Sequence, residues 1–379
     1  MPSGGFCRLR RKMTHPFLAE HEQFRQGVRT FVDQELRPQS VAWEKAGEFP
    51  RSVLLDCARA GLFQTDPWLN AVIAEELPRC ESLGFALSFF VQSTLIVPLL
   101  EEYGSSEQKA AYVPALQGGK IMGAMAVTEP GAGSDFAALR SYADVSGDDL
   151  VLHGEKTYIT SAAFADFLIV AARIPELAGE GLSLVLVPTK NDGVRVERLR
   201  TLGLCASGTG RVQFENCGVN RSQILGAAGD GFAQVQRALS RERLFGGIAS
   251  VAWASYAVEK SASFARERTA FGKTLNQFQA LRHQFAEMAT QLEAALSLNY
   301  ATLSRWAKGE TVTREICMIK LFSYQVAQQV ITQCLQMHGG LGYMDDHWTS
   351  RFYRDARALT IAAGTPEVMK EMIAAYMRI

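Results

Sequence analysis

Ala126-Val-Thr-Glu-Pro-Gly-Ala-Gly-Ser-Asp135 stands where the chain changes texture. Helical patterns precede it and short β-prone runs follow it. It joins the β-prone run Ala124-Met-Ala-Val-Thr128 to two glycines, a proline and several small or hydroxyl residues. A loop of that composition lets backbone amides approach a flat polar ring closely. A tight turn has the same composition, so the stretch alone leaves both readings open.

Toward the N-terminus, residues 14–121 read as helical. Apolar residues recur at helical spacing from His15 to Phe31, with Pro38 beyond the end of the run. Pro50 to Gly61 predicts a second helix, started by proline and stopped by glycine. A third begins at Ala71. Leu83 to Leu100 is almost wholly apolar and predicts a buried central helix. Ser105 is placed as the N-cap of the next one, and Gly118-Gly119 closes the region.

Toward the C-terminus, residues 122–230 carry short strands such as Leu150–Leu152, Phe167–Ala171, Leu182–Val187 and Arg211–Phe214, separated by turn clusters. Helical periodicity returns at Gly231. It runs from Phe232 to Arg268, Leu275 to Lys308 and Thr311 to His338, with shorter helices at Trp348–Tyr353 and Pro366–Met377. The expected fold is α+β and multidomain. It has an all-α N-terminal domain (14–121), a middle antiparallel β-barrel or sheet domain (122–230) and a C-terminal four-helix bundle (231–379), after a disordered extension at 1–13.

Composition narrows the function. Lys+Arg and Asp+Glu both number 39 in 379 residues, so no net charge points to nucleic acid or an anionic membrane. Seven scattered cysteines, with no CxxC or Cys/His ligand spacing, read as reduced thiols of a cytoplasmic protein. His338 and His347 with Asp345 and Asp346 match no zinc pattern, and no metal is expected. The first thirteen residues are basic without an apolar core, and no apolar run is expected to be long enough to span a bilayer.

The order of these textures and motifs resembles the acyl-CoA dehydrogenase family over essentially the whole chain after Thr14. The resemblance is carried by Ala126–Asp135, by Lys156-Thr-Tyr-Ile-Thr-Ser161, and by Arg211-Val-Gln-Phe-Glu-Asn216 with Gly229-Asp-Gly-Phe232. It continues in Arg266-Glu-Arg-Thr-Ala-Phe-Gly-Lys273 with Phe278-Gln279, in Gln336-Met-His-Gly-Gly-Leu-Gly-Tyr343, and in Arg351–Arg357 with Gly364-Thr-Pro-Glu367. The resemblance implies FAD as cofactor. Met125, Ala126, Val127, Thr128, Gly133 and Ser134 would hold its pyrimidine side. Tyr158, Ile159 and Thr160 would lie against the flavin, with tyrosine where many relatives have tryptophan. Arg268, Phe271, Phe278, Gln279, Gln336, Gly339 and Gly340 would hold the pyrophosphate and adenosine half on a neighbouring subunit, which implies a homotetramer built as a dimer of dimers. Thr365 and Glu367 would contact the FAD of their own subunit.

The implied reaction is α,β-desaturation of an acyl thioester. A base takes the α-proton while a hydride leaves the β-carbon, and donors at the thioester oxygen stabilise the enolate-like state. One donor would be the backbone N–H of Ala363 or its neighbour, beside Gly364. Many relatives place the catalytic glutamate directly before Gly-Thr, but here that position is Ala363. Isovaleryl- and long-chain-type relatives instead place it in the first helix of the C-terminal domain, before an arginine. Glu242-Arg243 falls there, within Ala238-Leu-Ser-Arg-Glu-Arg-Leu244. A charged triplet on a helix is more often a solvated face.

Ser134, Ser240, Arg243, Ala363 and Gly364 are the expected substrate contacts. Ser240 replaces an aspartate that holds the pantetheine arm in many relatives, so CoA and acyl carrier protein both stay open as the carrier. Electron-transfer flavoprotein or another acceptor would take the electrons. Phe89, Phe90 and Gln92 are placed at the acyl pocket, with plain core as the alternative for the phenylalanines. Roughly a dozen residues of a family loop are missing after Gly61, a gap that the fold can bridge. Other readings are a related flavin enzyme (nitroalkane oxidase, monooxygenase or enoyl-thioester reductase) and a non-catalytic flavin-binding protein.

Overall fold

The computed structural model describes residues 17–379; the extension expected at 1–13 lies outside the described residues. In chain order, α1 (Ala19–Phe31), α2 (Ser40–Ala46), α3 (Ser52–Arg59) and α4 (Pro67–Glu76) come first. They are followed by α5 (Leu83–Phe90), a π-helical turn (Val91–Ile96), α6 (Val97–Tyr103) and α7 (Ser106–Gln117). Then come β1 (Gly123–Ala126), β2 (Tyr142–Ser146), β3 (Asp149–Ile159), β4 (Phe167–Arg173), the short α8 (Pro175–Ala178), β5 (Leu182–Pro188), β6 (Val194–Arg198) and β7 (Gly210–Asn220). The last stretch holds α9 (Gly231–Glu267), the two-residue strands β8 (Thr269–Ala270) and β9 (Lys273–Thr274), α10 (Gln279–Trp306), α11 (Thr313–Gly342), α12 (Trp348–Leu359) and α13 (Pro366–Met377).

The chain forms two compact units. One takes Gln34–Thr65 and Ser82–Arg243; the other takes the chain through Asp33, Asp66–Glu81 and Leu244–Ile379. The division therefore cuts the N-terminal helices apart and falls inside α9, after Arg243.

The first unit is built on a seven-stranded sheet in the order β1-β4-β2-β3-β7-β6, with β5 on β4. It is mixed rather than purely antiparallel, because β1 runs parallel to β4, Gly123 opposite Phe167. β4 and β5 are buried at almost every position, as strands covered on both faces are. One core cluster joins Leu95, Ile96, Leu99 and Leu100 to Ile169, Leu184, Leu186, Val235 and Ala238.

The helix Leu83–Tyr103 corrects one expectation. Its 21 residues are long and apolar enough to cross a membrane, yet 83% of its most apolar window is buried. It is the central core helix predicted for that stretch. It is also interrupted by the π-turn, where Gln92 donates to the Gly123 carbonyl at 2.9 Å and accepts from the Gly123 N–H at 2.8 Å. Gln92 is 1% exposed. It locks strand β1. Phe89 is fully buried against Phe63, with ring centroids 5.0 Å apart, so core is the correct reading for it.

The second unit is helical. Asp66 caps α4 by accepting from the Trp68 and Leu69 N–H groups at 2.8 and 2.9 Å. Charges are paired: Arg25 is buried with Glu75 and Glu76, and half-buried Glu81 meets Lys260. Tyr300 donates to Glu75, and burial of Arg25 is outweighed by these acids, which hold its pKa above the ordinary value. α11 carries a non-helical Gly339 (φ 58°), so the helix kinks inside the Gln336–Tyr343 motif.

Candidate active site

The sheet-bearing unit gathers three of the predicted site segments. The first is the loop after β1. Glu129 and Ala132 exchange both backbone hydrogen bonds (3.0 and 3.1 Å), which pinches Glu129–Ala132 into a tight turn. Beyond it Gly131, Gly133 and Ser134 are exposed, and a Cβ added at Gly131 would meet nothing within 4 Å. The loop therefore offers bare backbone to solvent.

Beneath this loop lies a buried ion pair. Lys156 is fully buried and donates to Glu129 Oε1 at 2.7 Å and to the Val127 carbonyl at 3.1 Å. Glu129 also accepts from the Ser141 N–H (2.9 Å) and the Arg140 N–H (2.7 Å). Burial alone would raise the Glu129 pKa, but Lys156, Ser141 and Arg140 outweigh it and hold the carboxyl at about 2. Burial lowers Lys156 to about 8 against the pull of Glu129. Both groups are charged at neutral pH. Gly154 makes the approach of residue 141 to β3 possible: it has φ 138°, and a Cβ there would lie 2.3 Å from Ser141 Oγ.

The second segment is the end of β3. Its register against β7 slips between Lys156 and Ile159, a bulge that re-aims the side chains. Tyr158 adopts φ 60° and its side chain is turned outward, leaving the residue 69% exposed. A large aromatic held outward in a left-handed conformation is unexplained by packing. Beyond it, the Ser161 N–H donates to the Ser207 carbonyl at 3.0 Å. Buried Glu44 accepts from the Ala206 N–H at 3.2 Å and from Ser82 Oγ at 2.5 Å. Residues 206–207 are thus held from both sides, where the Ser161 N–H after Thr160 meets them.

The third segment is the start of α9. Phe232 stacks on Phe136, at the far end of the loop, with centroids 4.8 Å apart. Val235 and Ala238 belong to the core cluster against which Met125, Val127, Phe136 and Leu239 pack. Glu242 follows Val235, Ala238 and Leu239 by seven, four and three residues, which puts it on that same face of the helix. It is half-buried, and Arg243 is 3% exposed. Arg241 points to Glu102 instead, at 3.3 Å; burial outweighs that contact and lowers its pKa. The solvated-face reading of the charged triplet is therefore incorrect. Ser240 Oγ donates to the Gln236 carbonyl at 2.9 Å, so its proton is committed to the helix.

The helical unit carries the other predicted residues. Arg268, Phe271, Gln279, Gln336, Gly339 and Gly340 are all exposed, Phe271 at 96% with φ 51°. Phe271 and Phe278 sit edge to face at 6.3 Å, and Lys273 lies over the Phe278 ring. His338 is buried, stacked on Phe264 at 4.2 Å and bonded to the Cys334 carbonyl. Burial lowers its pKa. His347 caps α12. Ala363 and Gly364 both have positive φ (56° and 108°), and Thr365 then caps α13. Glu367, in the first turn of α13, has its pKa lowered by the helix-terminal backbone N–H and Thr365.

Three family models match along the chain: the acyl-CoA dehydrogenase N-terminal domain over residues 19–120, the middle domain over 124–217 and the C-terminal domain over 229–377. The chain belongs to the acyl-CoA dehydrogenase family. Long-chain specific acyl-CoA dehydrogenase of Sus scrofa is 33% identical over 94% of this chain and 86% of the relative. The 3-(aryl)acrylate reductase of Clostridium sporogenes is also 33% identical, over 95% of this chain and 99% of its own. An acyl-CoA dehydrogenase structure from Geobacillus kaustophilus superposes with a TM-score of 0.92 at 31% identity, covering 97% and 100% of the two chains.

As an acyl-CoA dehydrogenase family member, the protein is an oxidoreductase acting on CH–CH bonds, and its cofactor is FAD. The residues present fit that group. The sheet-bearing unit offers an exposed aromatic face at Tyr158 beside the bare amides of the loop. The helical unit offers Arg268, the exposed ring of Phe271 and open backbone at Gly339 and Gly340, around which an added Cβ would meet nothing. The pairing of Glu129 with Lys156 and the anchoring by Glu44 are features that the sequence does not announce. The visible signal was one acid and one base standing inside two motifs otherwise made of small, apolar and hydroxyl residues.

Proposed function

We propose that this protein desaturates an acyl thioester, with Glu242 as the base that removes the α-proton. The supporting observation is the placement of Glu242 on the face of α9 that carries Val235, Ala238 and Leu239, residues of the core under the Met125–Ser134 loop. Bound FAD supplies the acceptor for the β-hydride. Glu242 carries the proton, and a backbone N–H at the Ala363-Gly364 turn, where both residues have positive φ, would donate to the thioester oxygen. Tyr158 orients the flavin face, and Arg268 with Gln279, Gln336 and the Gly339–Gly340 backbone would hold the remote half of FAD from a partner subunit in a dimer of dimers. The electrons would pass to electron-transfer flavoprotein or another acceptor.

The same residues serve the reverse reaction, and a relative at equal identity is named a reductase. One experiment separates the directions and the carriers. Under anaerobic conditions the flavin absorbance is followed with a panel of acyl chains, each on CoA and on acyl carrier protein. Bleaching by a saturated thioester is expected and identifies both chain and carrier. No bleaching across the panel, with reoxidation of photoreduced protein by enoyl thioesters, would assign it to the reductases instead. Silence in both directions would leave a non-catalytic flavoprotein.

A further inference from the structure

We infer that the buried Glu129–Lys156 pair is a positioning device for FAD, setting where the cofactor loop's amides stand relative to Tyr158 without touching the flavin. This rests on the assignment of Met125–Ser134 and Tyr158–Thr160 to the flavin. The pair lies between the two segments that must hold opposite sides of one rigid ring. Lys156 stands two residues before Tyr158 on β3, and Glu129 opens the tight turn that leads to Gly133 and Ser134.

Its bonds tie three stretches to one point. Lys156 reaches the Val127 carbonyl and the Glu129 carboxylate. Glu129 reaches the Arg140 and Ser141 N–H groups, where the chain returns after the loop. The Thr157 N–H donates to the Thr128 carbonyl at 2.8 Å, adding a ladder bond from β3 onto the loop itself. The loop that follows Glu129 exposes Pro130, Gly131, Gly133 and Ser134, and two residues after Lys156 Tyr158 is turned outward. The two charges cancel, so the device fixes geometry and adds no net charge beside the cofactor. Hydrophobic residues would fill the same space, but they would not specify the loop's rotation about β3; a carboxylate with three donors does.

The test is FAD affinity of the apoprotein, measured by quenching of flavin fluorescence, alongside thermal unfolding of the same samples. Glu129→Gln and Lys156→Met are each expected to weaken FAD binding at least tenfold while far-UV circular dichroism stays native. The double variant should lose no more than the weaker single variant, because either change breaks the same clamp. Glu129→Asp, which keeps the charge, should recover part of the affinity. Glu75→Gln, which breaks a buried pair in the other unit, should lower thermal stability and leave FAD affinity unchanged. Wild-type affinity in folded Glu129→Gln or folded Lys156→Met overturns the inference. So does an equal loss in Glu75→Gln, since the effect would then be general instability. If one single variant does not fold, the other together with Glu129→Asp decides. Failure of the wild-type apoprotein to bind FAD would instead overturn the assignment of the loop, a distinguishable result.

Discussion

Glu242 acts only if its carboxylate stands in the site and can hold a proton during turnover. Removing its charge while keeping its shape tests that directly. Glu242→Gln should retain bound flavin and lower turnover by roughly 10²–10⁴-fold, the usual contribution of a positioned general base. Steady-state turnover and the flavin-to-protein absorbance ratio check both halves, and near-normal turnover would remove Glu242 from the mechanism. Glu242 became the candidate base by resemblance, because two positions could be compared: alanine occupies 363 and Glu-Arg occupies 242–243. The commitment of Arg241 to Glu102 was not legible, since those residues are 139 apart and meet only once α9 lies beside the end of α6. The Glu129–Lys156 contact was hidden for the same reason, across 27 residues.

At the scale of elements, helix positions followed from periodicity and caps. Ser105 caps α7 as expected, in a full capping box with Gln108. The extent of α13 matches the prediction, and proline in its first turn explains why the start was readable. The π-turn at Val91–Ile96 was not readable, because no glycine or proline within it marks the change. Its cause is tertiary: the side chain of Gln92 is held by both backbone groups of Gly123. Gln92→Leu should cost about 2–4 kcal/mol, because it leaves a buried N–H and a buried carbonyl without their side-chain partner. Urea unfolding measures this, and a midpoint equal to wild type would mean that the turn keeps itself. The mixed sheet is another element-level difference. Alternation and turn clusters report strands but not which neighbour a strand chooses, and β1 reaches β4 in parallel across more than forty residues.

At the scale of the whole molecule, each unit keeps an ionised carboxylate inside. In one, Glu129 is held at about 2. In the other, burial of Glu81 is outweighed by Lys260, Tyr256 and Arg351, and its pKa also lies below the ordinary 4.5. A folded-state pKa below the unfolded one gives stability that is complete above the unfolded value and is lost as pH falls toward the folded one. Buried His338, its pKa lowered from 6.5, binds its proton more readily when unfolded, so thermal midpoints should begin to fall below pH 6.5 and fall further below 4.5, the second limb more shallowly in Glu129→Gln. A midpoint that rises on acidification below 4.5 would contradict the sign of both shifts. The order of textures, helical then β then helical, was legible from the chain. The regrouping into two units was not, because α9 runs unbroken through the boundary and local periodicity cannot report which core each half joins.

The buried helix Leu83–Tyr103 also constrains how the protein is made. Its partners Ile169, Leu184, Leu186, Val235 and Ala238 are synthesised far later than the helix itself. At the usual pace of translation the segment waits roughly ten seconds or more for its last cover. During that wait a nascent chain displays an apolar helix of membrane-spanning length. Slower synthesis between β1 and α9 would prolong that exposure and, by the same physics, favour aggregation over assembly.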